Sequence, residues 1–521
     1  MKKLLAPVLL LLFSTPTLFA QTKVFKEVND EISSQIRIIQ QDGALVGYVV
    51  FTQLEKANED SFNYKITIMD ENLNDIGTVN FREEKLSLQA AAFEQDVLCL
   101  AYLKSNFIGN EFKNNREYRA GLPGAKNAVF TQFLGLNGKI FKTNATPVTI
   151  KMSDYMVTYT RVMAGGKLKY SLQLRNIPQK GFACFYGDED NSNLVVYNLA
   201  GTQTWKKAVK EDAQAFLLLT AGHDAWLLLK KKEAMIEGGF ELLGYDINDS
   251  TSFPKYVLKD KQGNSLKVLA FDIDPLTGKP YITGNIIDPA KGNDFILPRH
   301  VARGTYSGVF SIALNGHKKN EFGEVFSYWS DGSQSTISKN GLFADNDAYT
   351  RFSRSFKDYQ GNTYFAGSSF IKRPKWVAIG FTILTSPLII PPLAILGMAG
   401  TQKAKVTDAI LLKQNAKGVL TVDNTIAANN SKFYMGRIPL DFYDSRSFYS
   451  VYNADTKTNY LIVDDTKDIF IYNVNQKKTV RSIPHKDGNI RTYVFPAKEG
   501  HVMVSEYNKK ERYTRFSIES L

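Results

Sequence analysis

Residues 194–205 read LVVYNLAGTQTW. An apolar run ends at Asn198, a turn passes through Ala200 and Gly201, and a second run ends at Trp205. Glycine and asparagine accept the positive φ values of a tight reversal, so the stretch predicts a β-hairpin. The same order of apolar run, Asn/Asp/Gly turn and second run recurs at 64–81, 129–141, 309–316, 409–422 and 469–483, with 241–246 filling the longest early gap. A second hairpin type precedes several of these. Residues 271–284 (FDIDPLTGKPYITG), 356–367 (FKDYQGNTYFAG) and 452–463 (YNADTKTNYLIV) each run from an aromatic residue to an Asp (Asp274, Asp358, Asp455). A turn, a Tyr (Tyr281, Tyr364, Tyr460) and an apolar strand follow. Matching chemistry at matching places marks an internal repeat.

These hairpins start several tens of residues apart, the length of one four-stranded unit. The expected fold is therefore all-β, a β-propeller-like ring of about seven or eight four-stranded blades. On this turn pattern the chain resembles exported bacterial β-propeller proteins of uncharacterised families over most of its mature length. Tandem β-sandwiches are the competing architecture, since short strands with regular turns suit them too. No Pro/Ser-rich linker divides the chain. The last unit supplies strands at 491–495, 501–504 and 513–518, and residues 23–28 are expected to add the fourth and close the ring.

Composition agrees. Of the 521 residues 44% are hydrophobic and 22% charged, which excludes wholesale disorder. The 34 Phe and 26 Tyr favour pleated, half-buried surfaces over helices. Lys2 and Lys3, an apolar run over 4–13, a break at 14–16 and the small Ala20 have the layout of a secretory signal over 1–20. A buried N-terminal helix is the alternative. The mature chain, 21–521, is then expected in the periplasm or cell envelope. The net charge of +12 suits an anionic surface, while the scattered basic residues carry no nucleic-acid-binding motif. Cys99 and Cys184 sit in apolar, strand-like settings and are expected to remain unpaired.

One segment breaks the repeat. Residues 376–399, WVAIGFTILTSPLIIPPLAILGMA, hold no charge, and basic residues stand on both sides. Pro387, Pro391 and Pro392 oppose a straight helix, and a single crossing would divide the propeller between two sides of a membrane. An apolar hairpin inserted over 374–401 resolves both objections. Its contact residues to an anionic membrane surface or a partner protein would be Lys372, Arg373, Lys375, Trp376, Phe381, Leu384, Ile389, Ile390, Leu396, Lys403 and Lys405. An arm packed on the protein's own surface is the alternative.

Catalytic signatures are missing: no nucleophile elbow, zinc-binding His-Glu-x-x-His or phosphate loop occurs. The five histidines are far apart, and the acidic turn at 188–193 lacks the glycine and distal glutamate of an EF-hand. Asp272 and Asp274 alternate on one strand before Pro275 and Gly278, which reads as turn chemistry and not as a carboxylate pair. No cofactor is expected and the ligand is open. The sequence therefore points to a non-enzymatic binding or assembly platform. The opposing class is a propeller enzyme acting on glycan or peptide from its central channel.

Overall fold

The computed structural model describes residues 22–26, 33–41, 44–58, 60–107, 115–149, 172–188, 191–231, 238–288, 306–331, 337–338, 348–374, 402–426, 434–435, 442–443, 446–465, 467–485, 489–498 and 500–521. The expected signal segment and residues 375–401 lie outside this set.

Each middle strand is buried on both faces, and this explains why it reads as an unbroken apolar run. On strand Ala44–Lys56, Val49 and Phe51 join one core with Leu98, Leu100 and Tyr102. Tyr48 and Val50, on the other face, join a second core with Met503, Phe516 and Ile518. The pattern repeats around the molecule. Ala183 and Phe185 pack forward against Leu227, whereas Phe182 and Cys184 pack back against Cys99 and Phe133. A sheet with two apolar faces needs a neighbour on each side, and a closed ring of radial sheets provides both.

The chain accordingly forms eight four-stranded antiparallel sheets, the blades of a propeller. Blades 1 to 7 span 33–83, 86–148, 173–209, 213–257, 266–328, 349–426 and 447–484, in chain order. Blade 8 combines Ile490–Pro496, His501–Asn508 and Tyr513–Ser520 with the N-terminal strand Thr22–Lys26 at its outer edge. Val24 pairs with Arg515, Phe25 meets Phe516 edge-on at 5.4 Å, and Lys23 pairs with Asp75 of blade 1. This is the ring closure expected from the sequence, and the tandem-sandwich alternative falls. Eight apolar clusters fill the eight blade–blade interfaces.

The six repeated hairpins are each the outer, third-to-fourth-strand pair of one blade, and 241–246 is the third strand of blade 4. The second type joins first and second strands in blades 5, 6 and 7. Its Asp works as an Asx turn: Asp358 Oδ1 accepts the backbone N–H of Gln360 and Asn362 at 2.9 and 2.8 Å, and Oδ2 accepts Asn362 Nδ2 at 2.8 Å. Asp70 with Asn74 and Asp260 with Asn264 repeat the arrangement. In blade 7 the role falls to Asn453, which accepts the Thr456 N–H at 3.0 Å, and not to the expected Asp455. In the outer turn of blade 2, Gly138 adopts φ +83°, where a Cβ would lie 2.8 Å from the Thr78 carbonyl oxygen.

Strand direction gives the ring two unlike faces. First-to-second and third-to-fourth connections all lie on one face and are short, the longest being 247–255 and 314–322. The long connections, 106–126, 149–172, 288–305, 329–348, 375–401 and 427–446, all belong to the opposite face. Strand ends on one face are thus joined by tight turns and those on the other by longer stretches of sequence, where binding segments are usually carried.

Candidate functional site: the channel mouth and a basic ribbon

The first strands of successive blades touch one another from blade 1 to blade 8, so they line the central channel. Polar residues at alternate positions tie these strands together. Arg37 donates to the carbonyls of Ile36 and of Leu88 in blade 2, at 2.8 and 3.2 Å. Arg175 repeats this with Leu174 and with Leu218 of blade 4, both at 3.2 Å. Gln173 exchanges two hydrogen bonds of 2.8 Å with Phe216 and Leu218.

Toward the tight-turn face these inner strands bring unlike charges together. Asp272 of blade 5 lies within electrostatic reach of Arg354 of blade 6 and Arg175 of blade 3. Burial pushes its carboxyl above the usual carboxylate range, opposed by the Ile273 N–H at 2.9 Å and by the two arginines. Tyr281 and Tyr452 stand beside this pair, and burial raises both phenols. Asp274, two residues on, behaves differently. Its Oδ1 caps the turn through the Leu276 N–H at 2.9 Å, and its Oδ2 accepts Lys357 Nζ at 2.9 Å in a buried ion pair. Turn chemistry accounts for Asp274; Asp272 is a channel residue, which corrects the shared reading of the two.

Next to this cluster is a cavity of about 360 Å³ between the inner strands of blades 7, 8 and 1. Tyr449, Tyr452, Tyr493 and Phe495 supply its aromatic walls, and Gln40 and Ser450 are the polar side chains among the rest of the lining. Ile38, Tyr452 and Phe495 lie in the C-terminal halves of their strands, which end on the tight-turn face, with Ser450 and Tyr493 at the strand centres. The sequence did not single out Arg175, Arg354, Tyr281, Ser450 or Tyr452 as site residues. The available signal was an arginine at an alternate position of a strand-like run, as in QLRNI (Gln173–Ile177).

The residues singled out from the sequence lie on the opposite face. Lys372 and Arg373 end the strand Thr363–Pro374, and Lys403 and Lys405 begin the strand Gln402–Gln414. Register pairs Ile371 with Lys405, Lys372 with Ala404, Arg373 with Lys403 and Pro374 with Gln402. The first strand of blade 6 stops pairing at Phe370 and the fourth at Ala409. Among the described residues, 371–374 and 402–405 therefore pair only with each other, as a two-stranded ribbon extending roughly 13 Å past the blade at ~3.3 Å per residue. Lys375, Trp376, Phe381, Leu384, Ile389, Ile390 and Leu396 fall outside the described residues. Among the described residues no helix is long and apolar enough to cross a membrane.

The remaining candidates have structural partners. Cys99 and Cys184 are free, buried thiols in the core between blades 2 and 3; burial pushes Cys184 up to about 12. Asp188 accepts the Thr149 N–H at 2.9 Å. His317 Nε2 lies 2.8 Å from Asp224 Oδ2 and the ring stacks on Phe253 at 3.7 Å, while His485 Nε2 lies 3.0 Å from Asp464. No group of three or more metal-ligating side chains occurs among the described residues.

No curated protein sequence matches the chain. Its fold is similar to solved structures of very different sequence. They include apo AztD from Citrobacter koseri (9% identity, 88% of this chain and 92% of that one, TM-score 0.38). The WD40 domain of SCAP from fission yeast is another (10% identity, 93% and 98%, TM-score 0.38). A third is the C-terminal WD40 domain of Sif2 (9% identity, 95% and 99%, TM-score 0.40). A family profile matches residues 1–460, and the chain belongs to that family, the family of unknown function DUF6770.

Proposed function

We propose that this protein is an exported, non-enzymatic platform of the cell envelope, associated with an anionic membrane surface through its 374–401 insertion. The observation that carries the reading is the ladder from Phe370 with Val406 to Pro374 with Gln402. It makes Pro374 and Gln402, the described residues on either side of 375–401, direct neighbours at the end of one ribbon. The register sets Arg373 opposite Lys403, and two basic residues at one ladder position suit a surface of anionic headgroups. A segment of this composition, with basic residues at its base and Trp376 at the start, fits an interfacial anchor.

The channel supports binding over catalysis. Asp272 is flanked by Arg354 and Arg175, and Asp274 is held by Lys357, so the two do not form a free acid–base pair. Fractionation of cells expressing the full chain tests the proposal. The protein should sediment with membranes after export, and a chain lacking 374–402 should move to the soluble exported fraction. Cytoplasmic retention of the full chain, or no shift on deletion, would overturn it.

A further inference from the structure

The two faces of blade 5 are unlike. Toward blade 4 its strands present Ile282, Ile286, Phe310 and Ile312, which share one core with Trp226 and Leu228. Toward blade 6, alternate positions of the same strands hold Thr283, Asn285, Ser311 and Ser327. Blade 6 meets them with a side-chain hydrogen bond at each strand step from hub to rim. Thr283 Oγ1 and Ser355 Oγ are 2.6 Å apart, Thr363 Oγ1 donates to Ser311 Oγ at 3.4 Å, and Gln414 Nε2 donates to Ser327 Oγ at 2.7 Å. At the outer turn Ser327 Oγ donates to the Gly418 carbonyl at 2.6 Å. Two acceptors are left over: Asn285 Oδ1 and Gln414 Oε1 are buried without a hydrogen-bond partner among the described residues. Phe352, Phe365, Ile410 and Leu412 of blade 6 also reach this interface, where Val309 and Trp329 meet them.

We infer that this polar row is an opening seam: blades 5 and 6 part from each other and the row takes up water while the other interfaces stay closed. Separating an apolar interface exposes its area to water at full cost. A hydrogen bond broken at the seam is replaced by one to water, so its loss costs little. Asn285 Oδ1 and Gln414 Oε1 gain partners that they lack in the closed ring. Segments that open ahead of global unfolding are those with few buried apolar contacts. Blade 6 carries the 374–401 insertion and keeps an apolar core with blade 7 through Phe356, Leu411, Leu461 and Val463. The seam thus lets the insertion-bearing blade shift on blade 5 while it stays attached to blade 7. Opening there does not require a membrane.

Thiol labelling under native conditions tests the seam, with Cys99 and Cys184 of the interface between blades 2 and 3 as controls in the same molecule. Ser311→Cys is a near-isosteric change at the longest bond of the row. In the chain beginning at Gln21, the introduced thiol should react with iodoacetamide roughly a hundredfold faster than Cys99 and Cys184, which wait for global unfolding. Thr283→Val with Ser355→Ala replaces the hydroxyl pair by apolar groups that opening would expose. That pair should slow labelling of the introduced thiol about tenfold. Circular dichroism checks that each variant is folded. If Ser311→Cys does not fold, Ser327→Cys on the same row takes its place; if the double substitution does not fold, the ratio of introduced to native thiol decides. Equal labelling of the introduced and native thiols, or labelling that the folded double variant does not slow, would overturn the inference.

Discussion

Arg373 is the direct cross-strand partner of Lys403 on the ribbon that leaves blade 6. Like charges directly opposite each other on a ladder are in general unfavourable by about 0.2–1 kcal/mol, and opposite charges are favourable by a similar amount. Lys403→Glu should convert repulsion into attraction. The thermal midpoint should hold or rise slightly while affinity for anionic vesicles falls. A variant that binds vesicles as well as the parent would show that the ribbon's charge has no part in attachment.

The same register gives the site of a clean deletion. Arg373 and Lys403 are opposed residues, the spacing that a two-residue turn requires. Replacing 374–402 by Asn-Gly should leave a cooperative unfolding transition at a temperature close to that of the parent. Loss of cooperativity on thermal melting would mean that the insertion belongs to the core.

The ring was legible because its cause is local. Turns such as 199–202 and 358–362 use Gly, Asn and Asp at fixed places, and two-sided burial makes runs such as Val97–Ser105 continuously apolar. Closure by Thr22–Lys26 could be anticipated from a last unit one strand short. The channel was not legible. Asp272 and Asp274 lie on one strand, yet the last inward position of that strand and the first position of its turn have different surroundings, set by Arg354 and Lys357 of the next blade. Nothing local in a strand tells which neighbour it will face. Asn453 in place of Asp455 has a simpler cause: either residue can form the Asx turn, and the register of blade 7 selects the earlier one.

The Lys357–Asp274 pair is the buried ion pair that links blades 5 and 6, with side chains 10% and 6% exposed. Lys357→Met leaves the Asp274 carboxylate buried and unpaired, which should cost about 3–5 kcal/mol. Adding Asp274→Asn keeps the turn acceptor at Leu276 and removes the charge, so the double variant should recover most of that loss. Denaturant melts of the parent, the single and the double variants measure the coupling. Additive losses would show that the two residues do not act as a pair.

Cys99 and Cys184 belong to one core between blades 2 and 3, and burial holds both thiols in the protonated form. Neither should react with iodoacetamide at pH 8 until the protein unfolds, since the thiolate is the reactive form. Mass spectrometry of a non-reduced digest should contain both cysteines as free peptides. A linked Cys99–Cys184 peptide would contradict the free, buried state of the two thiols.

Co-sedimentation of the chain beginning at Gln21 with anionic vesicles, at low and high salt, tests the attachment most directly. Apolar burial contributes at ~25 cal/mol per Å², and the basic residues add about 1 kcal/mol each where salt does not screen them. The parent should pellet with the vesicles at low salt and remain largely bound at high salt. Replacing Phe381, Leu384, Ile389 and Ile390 by Ser should leave only weak adsorption that salt removes. A parent protein that stays in the supernatant with anionic vesicles at low salt would contradict membrane attachment.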